Sequence, residues 1–211
     1  MKTLILNANS DKKVNTIIVN RVKKLSQKYK NHFSFDYLRN APMSIQGKQD
    51  GTLAKTELIK YFKQKNNRKF NNYILCCFDD IALDDVCSLV RKPVFSLCQS
   101  SVVSSNLLTG KTIIITINKN SIGVIKRLLK KYNCSNIKVY SLNLDIINIH
   151  NKNFSMRLRK NISNIVKKTK AQNVILGSTG LTKFKERLQK YFTINLIDGL
   201  ECSLQLAGVR K

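Results

Sequence analysis

A chain of 211 residues with 43% apolar composition has the material for one large core or two half-size ones, which argues against disorder. Its 38 Lys and Arg face only 12 Asp and Glu, a net charge of +26, so nucleic acid or another anionic surface is the first partner to test. Two Pro and eight Gly exclude linker-like or collagen-like sequence, no apolar run approaches the ~18 residues of a membrane helix, and the opening apolar stretch is too short for a secretory leader.

The expected compartment is therefore the cytoplasm, with no membrane association, where Cys76, Cys77, Cys87, Cys98, Cys134 and Cys202 should be thiols. No pair is spaced as Cys-x-x-Cys, and His32 and His150 are the sole histidines, so no metal site is expected.

In chain order, short Ile-, Val- and Leu-rich runs predict strands over 3–7, 33–37, 73–77, 94–97, 112–117, 137–140, 173–177 and 194–197. Longer stretches between them carry apolar residues three and four apart, such as Val14, Ile17, Ile18, Val22 and Leu25, then Ile122, Ile125, Leu128 and Leu129. These are helices packed on a sheet. Such alternation predicts an α/β fold with mostly parallel strands and right-handed crossovers.

The pattern occurs twice. Residues 2–9 resemble 111–118 at a shift of about 109, residues 74–77 resemble 175–178 at about 101, and 94–97 resemble 194–197 at about 100. Duplication predicts two pseudo-symmetric lobes, the first over 1–97 plus 198–211 and the second over 98–197, with a cleft between facing strand ends. In parallel sheets ligands bind at the carboxyl ends of strands. That places Asn7 to Ser10, Cys77 to Asp80, Thr116 to Asn118 and Ser178 to Gly180 around one site, with Cys77 and Ser178 opposed.

Cys77 stands where a buried strand turns toward a helix expected to begin near Asp79 or Ile81. Free N–H groups and the helix dipole there favour a thiolate, which lowers the thiol's proton affinity and suits it to take a proton from a carbon acid. Cys76 and Cys77 can equally be small strand residues. The opposite turn, Gly177-Ser178-Thr179-Gly180, offers close backbone approach, two hydroxyls and N–H groups ahead of a helix expected over 183–191, a suitable cradle for a carboxylate. Such a turn also makes an ordinary helix cap, as do Asn9 and Ser10. Four polar turns at equivalent strand ends favour binding.

The order of these segments, with 41–46 (Ala-Pro-Met-Ser-Ile-Gln), 77–83 (Cys-Phe-Asp-Asp-Ile-Ala-Leu), 92–97 and 174–181, resembles the Asp/Glu/hydantoin racemase superfamily, nearest its hydantoin racemase branch, through essentially the whole chain. The resemblance implies a cofactor-independent isomerase in which one thiolate removes a proton next to a carboxylate or amide carbonyl and an opposed thiol returns one to the other face. It puts Cys77 at the first cysteine. It puts Asn9, Ser10 and Thr116, with the backbone around Phe78 and Thr179, at substrate-holding positions, for a small carboxylate or hydantoin-like substrate; Asp79 and Asn118 join them as candidates from their place at the strand ends alone. Relatives often form homo-oligomers.

Two departures stand out. Ser178 replaces the second cysteine, and a serine hydroxyl without a base is a much weaker acid than a thiol. Gln46 and Gln99 stand where hydantoin racemases usually carry Glu, which bears on substrate preference. A single-cysteine relative can still protonate one face, as arylmalonate decarboxylases do, but those keep the cysteine of the second half. Two other readings stay open: a small-acid-binding paralogue without turnover, and a basic protein associated with nucleic acid. The basic residues are spread over nearly every helix rather than concentrated, so the charge predicts non-specific nucleic-acid adhesion that fades with salt.

Overall fold

The computed structural model describes residues 1–28, 32–144 and 153–209; His150 lies outside them. Among the described residues eight strands form two four-stranded sheets in which every pairing is parallel. The first contains β1 (Lys2–Asn7), β2 (His32–Tyr37), β3 (Asn72–Cys76) and β4 (Val94–Ser96) in the order β2-β1-β3-β4. The second contains β5 (Thr112–Thr116), β6 (Lys138–Ser141), β7 (Asn173–Leu176) and β8 (Asn195–Asp198) in the order β6-β5-β7-β8. The helices are α1 (Lys12–Ser26), α2 (Lys48–Lys63), α3 (Leu83–Val90), α4 (Leu97–Ser105), α5 (Asn120–Lys131), α6 (Phe154–Thr169), α7 (Lys185–Gln189) and α8 (Gly199–Val209), with 3-10 turns at Lys65–Arg68 and Thr179–Phe184. No helix among the described residues is long and apolar enough to cross a membrane.

Strand side chains alternate between faces, and here each face has its own core. Ile5, Ile74, Ile114 and Ile175, one from each central strand, meet α1, α4, α5 and α8 in one core that joins both sheets. Their neighbours Leu4, Leu6, Tyr73 and Leu75 face α2 and α3, while Ile113, Ile115, Val174 and Leu176 face α6 and the Thr179–Phe184 turn. Both faces of each sheet are covered, which is why the central strands read as unbroken apolar runs.

The two halves repeat their bonding as well as their topology. Thr3 pairs with Asn72 through side chains at the start of β1 and β3, and Asn173 Nδ2 donates to Thr112 Oγ1 at 3.4 Å at the start of β7 and β5. The Lys2 N–H donates to Asn71 Oδ1 at 2.8 Å and the Lys111 N–H to Gln172 Oε1 at 3.0 Å; the Asn71 and Gln172 N–H groups return the bond to Lys2 and Lys111 carbonyls, each at 2.9 Å. These positions stand at the shifts of about 109 and 101 found in the sequence.

The expected strand ends move by a residue or two. Cys77, Ile117 and Gly177 lie just past their strands, in turns. Leu97 opens α4 instead of closing β4, because the Asp80 carboxylate accepts the N–H groups of Cys98 and Gln99 at 3.0 and 2.9 Å and fixes a helix start there.

Elements also cross between halves. Helix α8, last in the chain, packs on α4 and on β3 and β4. Gly199 allows that approach: a Cβ there would lie 2.7 Å from the Leu97 carbonyl oxygen. Helix α1 packs against the Thr179–Phe184 turn, and its Arg21, 7% exposed, reaches Asp198 at 3.4 Å, Glu201 at 3.1 Å and Glu186. A cation so deeply buried persists because three carboxylates offset its lost hydration.

Candidate active site

Four strand-end turns converge on one cavity of about 80 Å³. Since a water needs on the order of 10–15 Å³ of such space, there is room for a small ring or acid. The first half contributes Asn9 after β1 and Cys76, Cys77, Phe78 and Asp79 after β3; the second contributes Thr116, Ile117 and Asn118 after β5 and Gly177, Ser178, Thr179 and Gly180 after β7. Cys77 and Ser178 thus line the same space from opposite sheets.

Asn9 and Asn118 occupy equivalent places, two residues past β1 and β5. Asn9 Oδ1 accepts the Asp11 N–H at 3.2 Å and an amide hydrogen of Asn7 at 3.0 Å; Asn118 Oδ1 accepts the N–H groups of Asn120 at 3.1 Å and Ser121 at 3.4 Å. Capping and binding are therefore compatible here. The oxygen caps the turn, and the amide NH2 is the part of each side chain left for a ligand.

Ser10 is different. It does not line the cavity; its hydroxyl donates to the Ala41 carbonyl at 2.8 Å and its N–H to the Pro42 carbonyl at 3.1 Å. The serine is spent holding the loop between β2 and α2, whose Ser44 and Ile45 do line the cavity. The far end of that loop is tied across the cleft, where Asn120 Nδ2 donates to the Gln46 carbonyl at 3.4 Å. Gln46 and Gln99 side chains are not part of the cavity wall.

The turn after β3 departs from expectation. Helix α3 begins at Leu83, so no helix dipole acts on Cys77 from the next residues. Asp80 and Ala82 instead adopt the left-handed conformation, with φ of 46° and 55°. Burial, reinforced by the charge of Asp79, pushes the Cys77 thiol well above its ordinary value; N–H groups of Asp79 and Ile81 pull the other way without prevailing. The expected lowering of this thiol is thus reversed by desolvation. Burial also raises Asp79 to about 6, partly opposed by Arg127 of α5, and raises Asp80 to about 6. Asp80, 5% exposed, points away from the cavity wall to accept the Tyr132 hydroxyl at 2.7 Å beside the two α4 N–H groups. It ties the Cys77 turn of the first half to the second.

Across the cleft Gly177 presses on β5: its N–H donates to the Ile115 carbonyl at 2.7 Å, and a Cβ would lie 2.8 Å from that oxygen. Ser178 follows in extended conformation, with its hydroxyl not engaged in capping the turn. The expected helix over 183–191 is the 3-10 turn Thr179–Phe184 followed by the short α7. Thr182 of that turn donates to the buried Asp198 carboxylate, which also meets Arg21. Asp80 and Asp198 are thus the buried acids that hold the two facing turns.

Sequence reasoning missed Ser44, Ile45 and Ser121 of the wall, the Asp80–Tyr132 bond and the Arg21 cluster. The first lie beyond the strand-end turns themselves, in the loop before α2 and the first turn of α5, and the others join residues 52 to 180 positions apart. His32 is exposed at the start of β2, away from the site, and no group of three or more His, Cys, Asp or Glu among the described residues is placed to hold a metal ion. All six cysteines are free thiols.

Two parallel sheets with facing strand ends and a shared polar cavity define a two-lobed α/β protein of the racemase type. Residues 4–207 match the family model for Asp/Glu/hydantoin racemases, and the chain belongs to that family. It is 23% identical over 180 residues to the hydantoin racemase of Rhizobium meliloti, covering 83% of this chain and 75% of that one. Its fold resembles that of the allantoin racemase from Klebsiella pneumoniae, with a TM-score of 0.90 at 15% identity over 98% of this chain and 85% of that one. Glutamate racemase from Francisella tularensis, in complex with D-glutamate, gives a TM-score of 0.67 at 19% identity, over 98% and 79%.

Proposed function

We propose that the cleft catalyses proton transfer at a carbon next to an amide or carboxylate carbonyl, with Cys77 as the base on one face and Ser178 as a weak acid on the other. The carrying observation is that these two side chains line one small cavity from equivalent ends of β3 and β7. The Cys77 thiolate takes the proton and becomes a thiol, and the electron pair of the broken C–H bond moves to the carbonyl oxygen as an enolate. The NH2 groups of Asn9 and Asn118, the Thr116 hydroxyl and the Thr179 N–H are donors available to that oxygen. A proton then returns to carbon, from Cys77 on the same face or from Ser178, directly or through water, on the opposite one.

The thiol's raised proton affinity makes the thiolate scarce but strongly basic, which suits weakly acidic carbon. Return from Ser178 is the slow event, since the loss of one acid–base partner typically costs about 10²–10⁴ in rate. The chain is therefore read as exchanging the substrate proton faster than it inverts the centre. The substrate class is a small amino-acid-like acid or a hydantoin, in keeping with relatives that are hydantoin, allantoin and glutamate racemases. The lobe limits are proposed at 1–97 with 198–211 and at 98–197, supported by the packing of α8 on β3 and β4. The +26 charge is proposed to act only non-specifically on nucleic acid, in a way that salt abolishes.

The test is deuterium uptake at the substrate carbon in heavy water, followed by NMR with a chiral hydantoin and with aspartate. Uptake by the wild type that Cys77→Ala abolishes supports the proposal. Uptake that survives Cys77→Ala overturns it, and no uptake with any carbon acid leaves a binding paralogue.

A further inference from the structure

The cavity wall is electrostatically one-sided. Of the 38 Lys and Arg in this strongly basic chain none lines it among the described residues, whereas Asp79 does and is the wall's one carboxylate. No described residue donates a hydrogen bond to the Asp79 side chain, and Arg127 acts on it from beyond ion-pair distance. The equivalent position on the facing turn, two residues past Ser178, is Gly180. One lip therefore carries a thiol and a carboxylate with spare acceptor capacity. The other offers hydroxyls and backbone N–H groups and no charge.

We propose that Asp79 is the specificity-determining residue of this site: its carboxylate accepts an N–H of the ligand beside Cys77 and turns away ligands that bring a negative charge to that lip. The chemistry selected is a neutral ring or chain in which an N–H and a carbonyl flank the reacting carbon, the N–H toward Asp79 and the carbonyl toward the Asn9, Asn118, Thr116 and Thr179 donors. A carboxylate in the same place meets Asp79 across a space of about 80 Å³ with no lysine or arginine on the wall to offset the repulsion. Arg127 is positioned to moderate that field without removing it. This rests on the proposed use of the cleft as a ligand site, but not on turnover.

The experiment is calorimetric titration of the intact chain at pH 7.5 with unsubstituted hydantoin, which is neutral, and with methanesulfonate, whose charge does not vary with pH. Wild type is expected to bind hydantoin and to show at least 10-fold weaker binding of methanesulfonate. Asp79→Asn, and independently Asp79→Ser, should weaken hydantoin binding by roughly 10- to 100-fold, as expected for loss of a hydrogen bond to a charged group, and strengthen methanesulfonate binding. Folding of both variants is checked by their melting curves. Wild type that binds the anion as well as hydantoin, that binds neither, or whose preference is unchanged by both substitutions overturns the proposal. If the preference is as expected while deuterium uptake is absent, the assignment of Asp79 stands and the catalytic reading fails.

Discussion

Asp79 and Cys77 are two residues apart on one turn, and both have their charged forms disfavoured by burial. For Cys77 the consequence is kinetic. A thiol held well above its usual value supplies more base as pH rises, so Cys77-dependent exchange should keep increasing through pH 9, beyond the point at which an ordinary thiol of pKa about 8.5 would begin to level off. A plateau near pH 7 would contradict the assignment of burial as the dominant influence. For Asp79 the consequence is thermodynamic. Raised to about 6 against an unfolded value near ~3.9, the folded carboxyl holds its proton more tightly than the unfolded one, so its contribution to stability is complete below about 4 and is lost as pH rises through about 6. Asp79→Asn has no such loss. The stability of the variant relative to wild type should therefore be greater at pH 7.5 than at pH 5, measured by denaturant unfolding at the two pH values.

The position of Cys77 was legible from the shift of 101 that pairs residues 74–77 with 175–178, because β3 and β7 occupy equivalent places in two sheets of the same strand order. Its ionisation was not legible. The direction depends on how much protein surrounds the sulfur and on where α3 starts, and the left-handed residues Asp80 and Ala82 delay that start to Leu83. Ser10 illustrates the same limit. Its place beside Asn9 suggested ligand contact, whereas its hydroxyl answers a carbonyl 31 residues away.

At the scale of elements, the loop between β2 and α2 that forms part of the wall is pinned at both ends, by Ser10 at Ala41 and Pro42 and by Asn120 at Gln46. Ser10→Ala removes one of these ties. It should cost about 0.5–1.5 kcal/mol of stability and raise KM more than it lowers kcat, because Ser44 and Ile45 shape the cavity wall and neither is a proposed proton carrier. An unchanged KM in steady-state exchange kinetics would show that the loop position does not matter to binding. The strands themselves were readable almost to the residue, since sheets covered on both faces leave unbroken apolar runs. The helices after β4 and β7 were not, because buried acids rather than local propensity decide how those segments run: Asp80 caps α4 from a distance, and Asp198 holds Thr182.

The whole molecule depends on contacts that cross from one sheet to the other. Arg21 on α1 meets carboxylates at 186, 198 and 201, and its removal leaves Asp198, 5% exposed, without its cation. Arg21→Met should cost about 3–5 kcal/mol, the usual penalty for breaking a buried charge pair from one side, read as a shift in the denaturant midpoint. A loss below about 1 kcal/mol would show that the cluster relaxes to solvent. Because Asp198 also anchors the turn that follows Ser178, the same substitution should disturb the cleft before the chain unfolds. No sequence period announces such a cluster; it forms only once the two halves are packed together.

That facing arrangement is what the functional account requires, and restoring a thiol at residue 178 probes it most directly. With Ser178→Cys, the ratio of racemisation to deuterium uptake on a chiral hydantoin should rise by about 10²–10⁴ over wild type, while uptake through Cys77 stays within a few fold. A ratio that does not move, in a variant that melts like wild type, would mean that residue 178 does not reach the face opposite Cys77.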